Sequence, residues 1–452
     1  MKLHSSFWLF LLLIWISTFN KTVTASKVPV QPPHASAENE YTSYAKQVKS
    51  YLKSLLYTQK QVENWLAGRK LHYGETYHSQ LGWVAANRRM KDGFDKSIST
   101  YRYSGARRMI NFSDMNCRIN TYGNSFTHCD QVSDGETWQE VLAAHLGEPI
   151  RNFGIGGYSV YQSYLRMKIE EARTPAPYII FNIFDDDHYR NLHGWRNIRL
   201  GYEMSSRPTV NSPSMPYVEV NPFTQEFREF SNPCPTPESV YNLCNLDWVY
   251  KRFKNDFTLK IIMAGKNIRE NKPEGSYKII QELASQQGIT TQINNPEILK
   301  QTIHALHTRA GIFASMRIVE MVEEYAKKEG RKVLYVLSFG SPAVAQTIKE
   351  GTRFDQNFID FLDKKELPYV DNMQAHLKDF SSFNLDTEGY IKRYWIGHYN
   401  PLGNFFQAFA IKNKLVEMLD PKPVSYATND SVYTDPETLR FPGRNLVEPK
   451  TE

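Results

Sequence analysis

The sequence predicts an α/β protein built on a doubly wound parallel sheet of the flavodoxin-like kind, with a helical N-terminal extension and an inserted cap. Three observations lead there. Two apolar runs of strand length, PYIIFNIF at 177–184 and KVLYVLS at 332–338, are nearly continuous, as strands buried on both faces are. Stretches with apolar residues spaced by three and four flank them and read as helices. Strands and helices then alternate from Arg118 to about residue 420. That alternation favours parallel neighbours joined by right-handed crossovers, with a site at the C-terminal strand ends.

Bulk properties leave this class open and close others. The chain has 452 residues, 41% hydrophobic and 23% charged, which excludes disorder, collagen and coiled coil as descriptions of the whole. A net charge of +6 is too weak to argue for nucleic acid. The charge is uneven: residues 41–110 carry 13 Lys/Arg against 4 Asp/Glu. A solvated helical face accounts for this, and attraction to an anionic glycan or envelope surface is the sharper alternative.

Residues 1–25 read as an export signal. Lys2 precedes the apolar run Phe7–Ile16, and Val23-Thr24-Ala25 offers small residues for cleavage after Ala25. The run is short of the roughly 18–20 residues that a bilayer span requires. A secreted or periplasmic protein, with no stable membrane span after cleavage, is the expectation. Export makes the four cysteines candidates for pairing: Cys234 with Cys244, and Cys117 with Cys129, with free thiols as the alternative.

Residues 26–115 form the basic N-terminal extension. A Pro-containing leader opens it, and 38–68 read as helix from Tyr44, Val48, Tyr51, Leu52, Leu55 and Leu56, whereas 69–115 show no clear pattern. The α/β domain spans 116–420. RINTY is its first short strand, WQEVLAAHLG a helix closed by Gly147, IRNFG a second strand, and Tyr158–Ala172 a second helix. An insertion at about 200–275 is rich in Pro, Asn and Ser and includes a hairpin-like YVEVNPFTQEFREF. Beyond it come largely helical residues 275–329, the KVLYVLS strand, helices near 341–350 and 355–365, a last strand in LPYVDN and a final helix, Leu402–Leu419. Residues 421–452 read as an extended tail.

Four pieces carry chemistry. Gly123-Asn124-Ser125 follows a strand and precedes a helix, a turn that lifts a hydroxyl above the sheet beside backbone N–H groups. Gly154-Ile155-Gly156-Gly157 ends the next strand and allows close backbone approach. It lacks the GxGxxG spacing of a dinucleotide site. Asp185-Asp186-Asp187 ends the third strand, where pairing with Arg190 is the plain account and a shared cation the sharper one. His398 precedes Pro401 at the start of the last helix, well placed for a base. Singly, each also reads as an ordinary turn or a structural residue.

Together these pieces resemble the SGNH (GDSL-like) hydrolases, a family of esterases and acylhydrolases. The resemblance covers roughly 118–195 and 330–420, through GNSFT, DGETWQEVLAAHLG, RNFGIGGYSVYQ and HYNPLGNFF. It implies that Ser125 is the nucleophile, that His398 is the general base, and that the N–H groups of Ser125 and Gly157 receive the oxyanion. It implies no cofactor and no metal. Two departures stand out. The family's third block supplies an Asn donor where this chain has Asp186, and an ionised carboxylate there would repel an oxyanion. The family's last block has an Asp three residues before the His, where this chain has Trp395. The triad acid would then be Asp371 or Asp386, or the pair would act as a dyad.

The leading expectation is an exported serine ester hydrolase acting on an acylated small molecule or glycan, with no nucleic-acid partner. An O-acyltransferase on polysaccharide is the first alternative. A glycan-binding protein that has lost catalysis is the second.

Overall fold

The computed structural model describes residues 37–68, 75–85, 89–90, 97–101, 105–203, 214–291 and 293–426. The expected export signal, residues 1–25, and most of the expected C-terminal tail lie outside them. At the centre are five parallel strands: β1 (Ile119–Tyr122), β2 (Arg151–Asn152), β3 (Tyr178–Phe184), β4 (Lys332–Ser338) and β5 (Tyr369–Asp371). Their spatial order is β5-β4-β3-β1-β2. Read from the other edge this is 2-1-3-4-5, a doubly wound order whose switch point lies between β1 and β3. The long pair β3 and β4 is in register from Lys332 opposite Tyr178 to Ser338 opposite Phe184, and Tyr122 of β1 lies opposite Phe181.

Both faces of the sheet are covered, which is why β3 and β4 tolerate so few polar residues. Ile179, Phe181 and Ile183, with Val333, Tyr335 and Leu337, pack on one side against helices Val160–Glu171, Pro296–Lys328 and Gln356–Lys364. The alternate residues Ile180, Leu334 and Val336 pack on the other side against Trp138–Leu146 and Pro401–Met418. Local signals set the helix ends. Ser159 caps Val160–Glu171 with a capping box, so that helix starts two residues later than the apolar spacing implies. Gly147 closes Trp138–Leu146 at φ 75°, and Asn400 caps Pro401–Met418 with proline in the first turn.

The N-terminal extension is helical at Ala37–Leu55 and Gln59–Leu66 and continues as short antiparallel pairs, Glu75–His78 with Gly82–Ala85 and Arg89–Met90 with Ser99–Thr100. Its buried Tyr44, Leu52, Val62, Trp65 and Trp83 share one core with Tyr158, Trp195, Val240 and Leu259. The inserted region does contain a hairpin, Tyr217–Asn221 with Glu226–Phe230, followed by helices Leu246–Phe253 and Phe257–Arg269. The latter packs with Glu274–Gln286 and the first turns of Pro296–Lys328 around Ile280, Leu299 and Leu306. Among the described residues, no helix is long and apolar enough to cross a membrane.

The cysteine pairings are corrected. All four thiols are free. Cys117 lies against the carbonyls of Ile119 and Pro149, while Cys129 lies against that of Thr127 and the Gln139 side chain. Cys117 and Cys129 are thus held apart by separate buried contacts. Cys234 is packed in the extension core, and Cys244 only half-buried at its edge.

Candidate active site

Loops at the C-terminal ends of β1, β3 and the chain's last quarter meet at one rim. Asn124 is an extended residue whose side chain accepts from Phe126 N–H, starting the short helix Ser125–His128 directly after β1. Ser125 is nearly buried. The residue predicted as its base arrives from 273 positions away: Ser125 Oγ lies 2.9 Å from His398 Nε2. The ring is placed two residues ahead of the Asn400 cap, so the helix start fixes its approach.

The other ring nitrogen is not held by an acid. Gln131 Oε1 lies 2.9 Å from His398 Nδ1 and also accepts from the His398 backbone N–H at 2.6 Å. Gln131 Nε2 donates to the Ile396 carbonyl at 2.9 Å, which fixes which end of the amide faces the ring. An amide oxygen can only accept, so Nδ1 carries the proton and Nε2 presents its lone pair to Ser125. The expected triad acids are corrected here. Asp371 pairs with Arg353 at 2.6 Å and caps helix Asn372–Phe380, and Asp386 caps helix Thr387–Tyr394. Trp395 is buried in the sheet-face core.

The acid nearest the ring is Asp130, whose Oδ2 lies 3.9 Å from His398 Nε2. Its other oxygen is hydrogen-bonded to His128, whose ring in turn meets the Tyr101 hydroxyl. Burial raises the Asp130 carboxyl pKa, but His128, His398 and Arg107 outweigh it and hold the group below the usual range. For His398 burial is the largest influence and lowers its pKa, Asp130 opposes that, and Arg190 reinforces it.

The loop bearing Asp130 and Gln131 is strained and clamped. Cys129 and Gln131 take left-handed backbone at φ 64° and 73°, unusual for residues with a side chain. Arg107, 3% exposed, donates to the carbonyls of His128, Cys129 and Val132 and pairs with Asp134 at 3.0 Å. Three loop carbonyls pointing inward are satisfied by one guanidinium, and this holds the loop in its bent form.

The three consecutive aspartates diverge. Asp185 accepts from Gly340 N–H at 2.8 Å, and burial pushes its carboxyl up to about 8. Asp187 accepts from Asn124 Nδ2 at 2.6 Å, Phe184 N–H and Arg190, tying the third loop to the Ser125 turn. Asp186 is ion-paired with Arg190, 2.8 Å away, and with Arg199. Despite burial, those arginines hold its pKa well below the ordinary carboxylate value. It is therefore an ionised acceptor, and its assignment as an oxyanion donor is corrected. Among the described residues no group of three or more His, Cys, Asp or Glu side chains is arranged to hold a metal.

The backbone N–H groups of Ser125 and Gly157 make no hydrogen bond to another described residue. Gly157 takes φ 79° in the loop after β2.

No protein-family model matches the chain. No curated protein matches it. Among solved structures, one from Desulfitobacterium hafniense DCB-2, assigned to the G-D-S-L family of lipolytic proteins, aligns over 66% of this chain and 99% of its own, at 11% identity and a TM-score of 0.29.

Sequence reasoning missed Gln131, Asp130 and Arg107. The first two stand six and five positions beyond Ser125, close in sequence, but a glutamine has no established place in a triad pattern. Arg107 lies in the basic stretch 41–110, whose composition reads as a solvated face. Its burial depends on a loop that only the tertiary structure brings to it.

Proposed function

We propose that the protein is a serine ester hydrolase of the SGNH-like type, working through an acyl-Ser125 intermediate. One observation carries the reading: a nearly buried serine and a histidine 273 residues away meet at 2.9 Å, at the C-terminal edge of a parallel sheet. In the proposed reaction His398 Nε2 takes the Ser125 proton as Oγ bonds to the acyl carbon, and the carbonyl electron pair moves onto oxygen. The free amides of Ser125 and Gly157 receive that charge. His398 returns the proton to the departing alcohol, and water then repeats the sequence to release the acid.

Gln131 orients the ring but brings no charge, in the manner of the Asn in Cys-His-Asn proteases. Stabilisation of the imidazolium falls to Asp130. Export through cleavage after Ala25, and an acylated glycan or small molecule outside the cytoplasm as substrate, belong to the same proposal, supported by the apolar run Phe7–Ile16.

Steady-state hydrolysis of p-nitrophenyl acetate by the mature chain tests this. Wild-type turnover is expected well above that of Ser125→Ala and His398→Ala. Equal rates in all three would end the esterase reading.

A further inference from the structure

Resting on that reading, we propose that Arg196 is a catalytic residue: its guanidinium donates to the carbonyl oxygen of the scissile ester, completing the oxyanion hole beside the Ser125 and Gly157 amides. It would occupy the role expected of position 186, where a carboxylate cannot serve.

The position comes first. A Cβ on Gly157 would overlap Arg196 Nη1, so the guanidinium fills the space where any other residue at 157 would carry its side chain. It therefore packs against Gly157, whose N–H is one of the two free amides. Its backbone is fixed: Trp195 before it is fully buried, and the Arg196 carbonyl accepts from Arg199 and Leu200 as helix Asn197–Glu203 begins. A donor on such a support needs little reorganisation when charge appears.

Availability comes second. Three arginines converge here, and two are engaged: Arg190 with Asp186 and Asp187, Arg199 with Asp186. Arg196 is only half-buried, and its guanidinium makes no hydrogen bond or salt bridge with any described residue. Two acids attract it, Asp186 and Glu75. Asp186 is shared by the other two arginines, and burial pushes the Glu75 carboxyl up to about 8, so Glu75 is mostly protonated near neutral pH. The N–H donors of Arg196 thus lie beside Gly157 without a hydrogen-bonded acceptor among the described residues. Five N–H donors in a planar fork suit an oxygen that gains charge during reaction. Arg196 keeps its proton throughout, since the proton from Ser125 travels only to His398 and then to the leaving alcohol.

The test is kcat and KM for the uncharged ester p-nitrophenyl acetate in wild type, Ser125→Ala, Arg196→Gln and Arg196→Lys, with thermal unfolding as a fold check. Loss of one such donor is expected to lower kcat by about a hundred- to a thousandfold. KM should change little, because the interaction strengthens only as the oxyanion forms. Arg196→Lys should recover part of the loss and, with its smaller disruption, serves if Arg196→Gln unfolds. Gly157→Ala should fall in parallel, because its Cβ displaces the guanidinium. Unchanged kcat in a folded Arg196→Gln would overturn the proposal. So would a rise in KM alone, which would make Arg196 a ground-state substrate contact. If wild type equals Ser125→Ala, the esterase reading itself fails, a separate result.

Discussion

At the scale of single residues, the candidate site divides between two neighbours what one triad acid does elsewhere. Gln131 holds Nδ1 without charge, and Asp130 supplies charge from the other edge of the ring. The division is testable. Gln131→Ala leaves the ring free to turn and should reduce kcat by about a hundredfold, the lower end of what a positioned base contributes. Gln131→Glu should move the acid limb of kcat/KM to higher pH, because a carboxylate beside Nδ1 favours the imidazolium. Asp130→Asn should do the reverse. Asp130 raises the His398 pKa, so its removal extends activity to lower pH while weakening the charged intermediate. One charge at about 4 Å is worth about 1 kcal/mol in water and about 4 kcal/mol at a protein-like dielectric. The kcat of Asp130→Asn should accordingly fall by between about fivefold and a thousandfold. In wild type, burial sets the acid limb below the ordinary histidine range, since only the neutral ring accepts the proton.

At the scale of elements, the parts that read most clearly in the sequence are those whose environment is uniform along their length. β3 and β4 lie between two helical layers, so their residues are apolar throughout, and the spacing is visible without knowing the partners. The strand-turn-helix at Ser125 and the capped start of Pro401–Met418 were legible for a related reason: their signals are local. The described residues between 75 and 115 are opaque in the sequence because their contacts are distant. Trp83 Nε1 donates to the Gly156 carbonyl, Arg107 clamps 128–132, and neither contact leaves a period in the chain. The loop after β2 has little room. A Cβ on Gly154 would run into the backbone of Thr127 and His128. Gly154→Ala is expected to push the Ser125 helix and the Gly157 turn apart, lowering both the unfolding midpoint and p-nitrophenyl acetate turnover. A variant with both at wild-type level would show that the two loops need not touch.

Across the whole molecule, the extension and the inserted region form one body against the site. Tyr51 donates to the Ile198 carbonyl at 2.6 Å, and Tyr57 and Trp195 meet edge to face with centroids 5.9 Å apart. Trp195, fully buried there, immediately precedes Arg196. Trp195→Ala should therefore cost about 3–5 kcal/mol of stability. It should also reduce turnover in the fraction that remains folded, because the support for Arg196 is lost. Equilibrium denaturation combined with activity per folded molecule separates the two effects. Trp195→Ala with unaltered specific activity would detach the extension from catalysis.

In the proposed reaction His398 activates Ser125, and covalent labelling reports that activation without knowledge of the substrate. Intact-mass analysis of the purified protein after incubation with a fluorophosphonate should show one adduct, located at Ser125 by peptide mapping. The adduct should be absent from Ser125→Ala and form far more slowly in His398→Ala. An unlabelled wild-type chain, or a label that forms at the same rate without His398, would contradict the account.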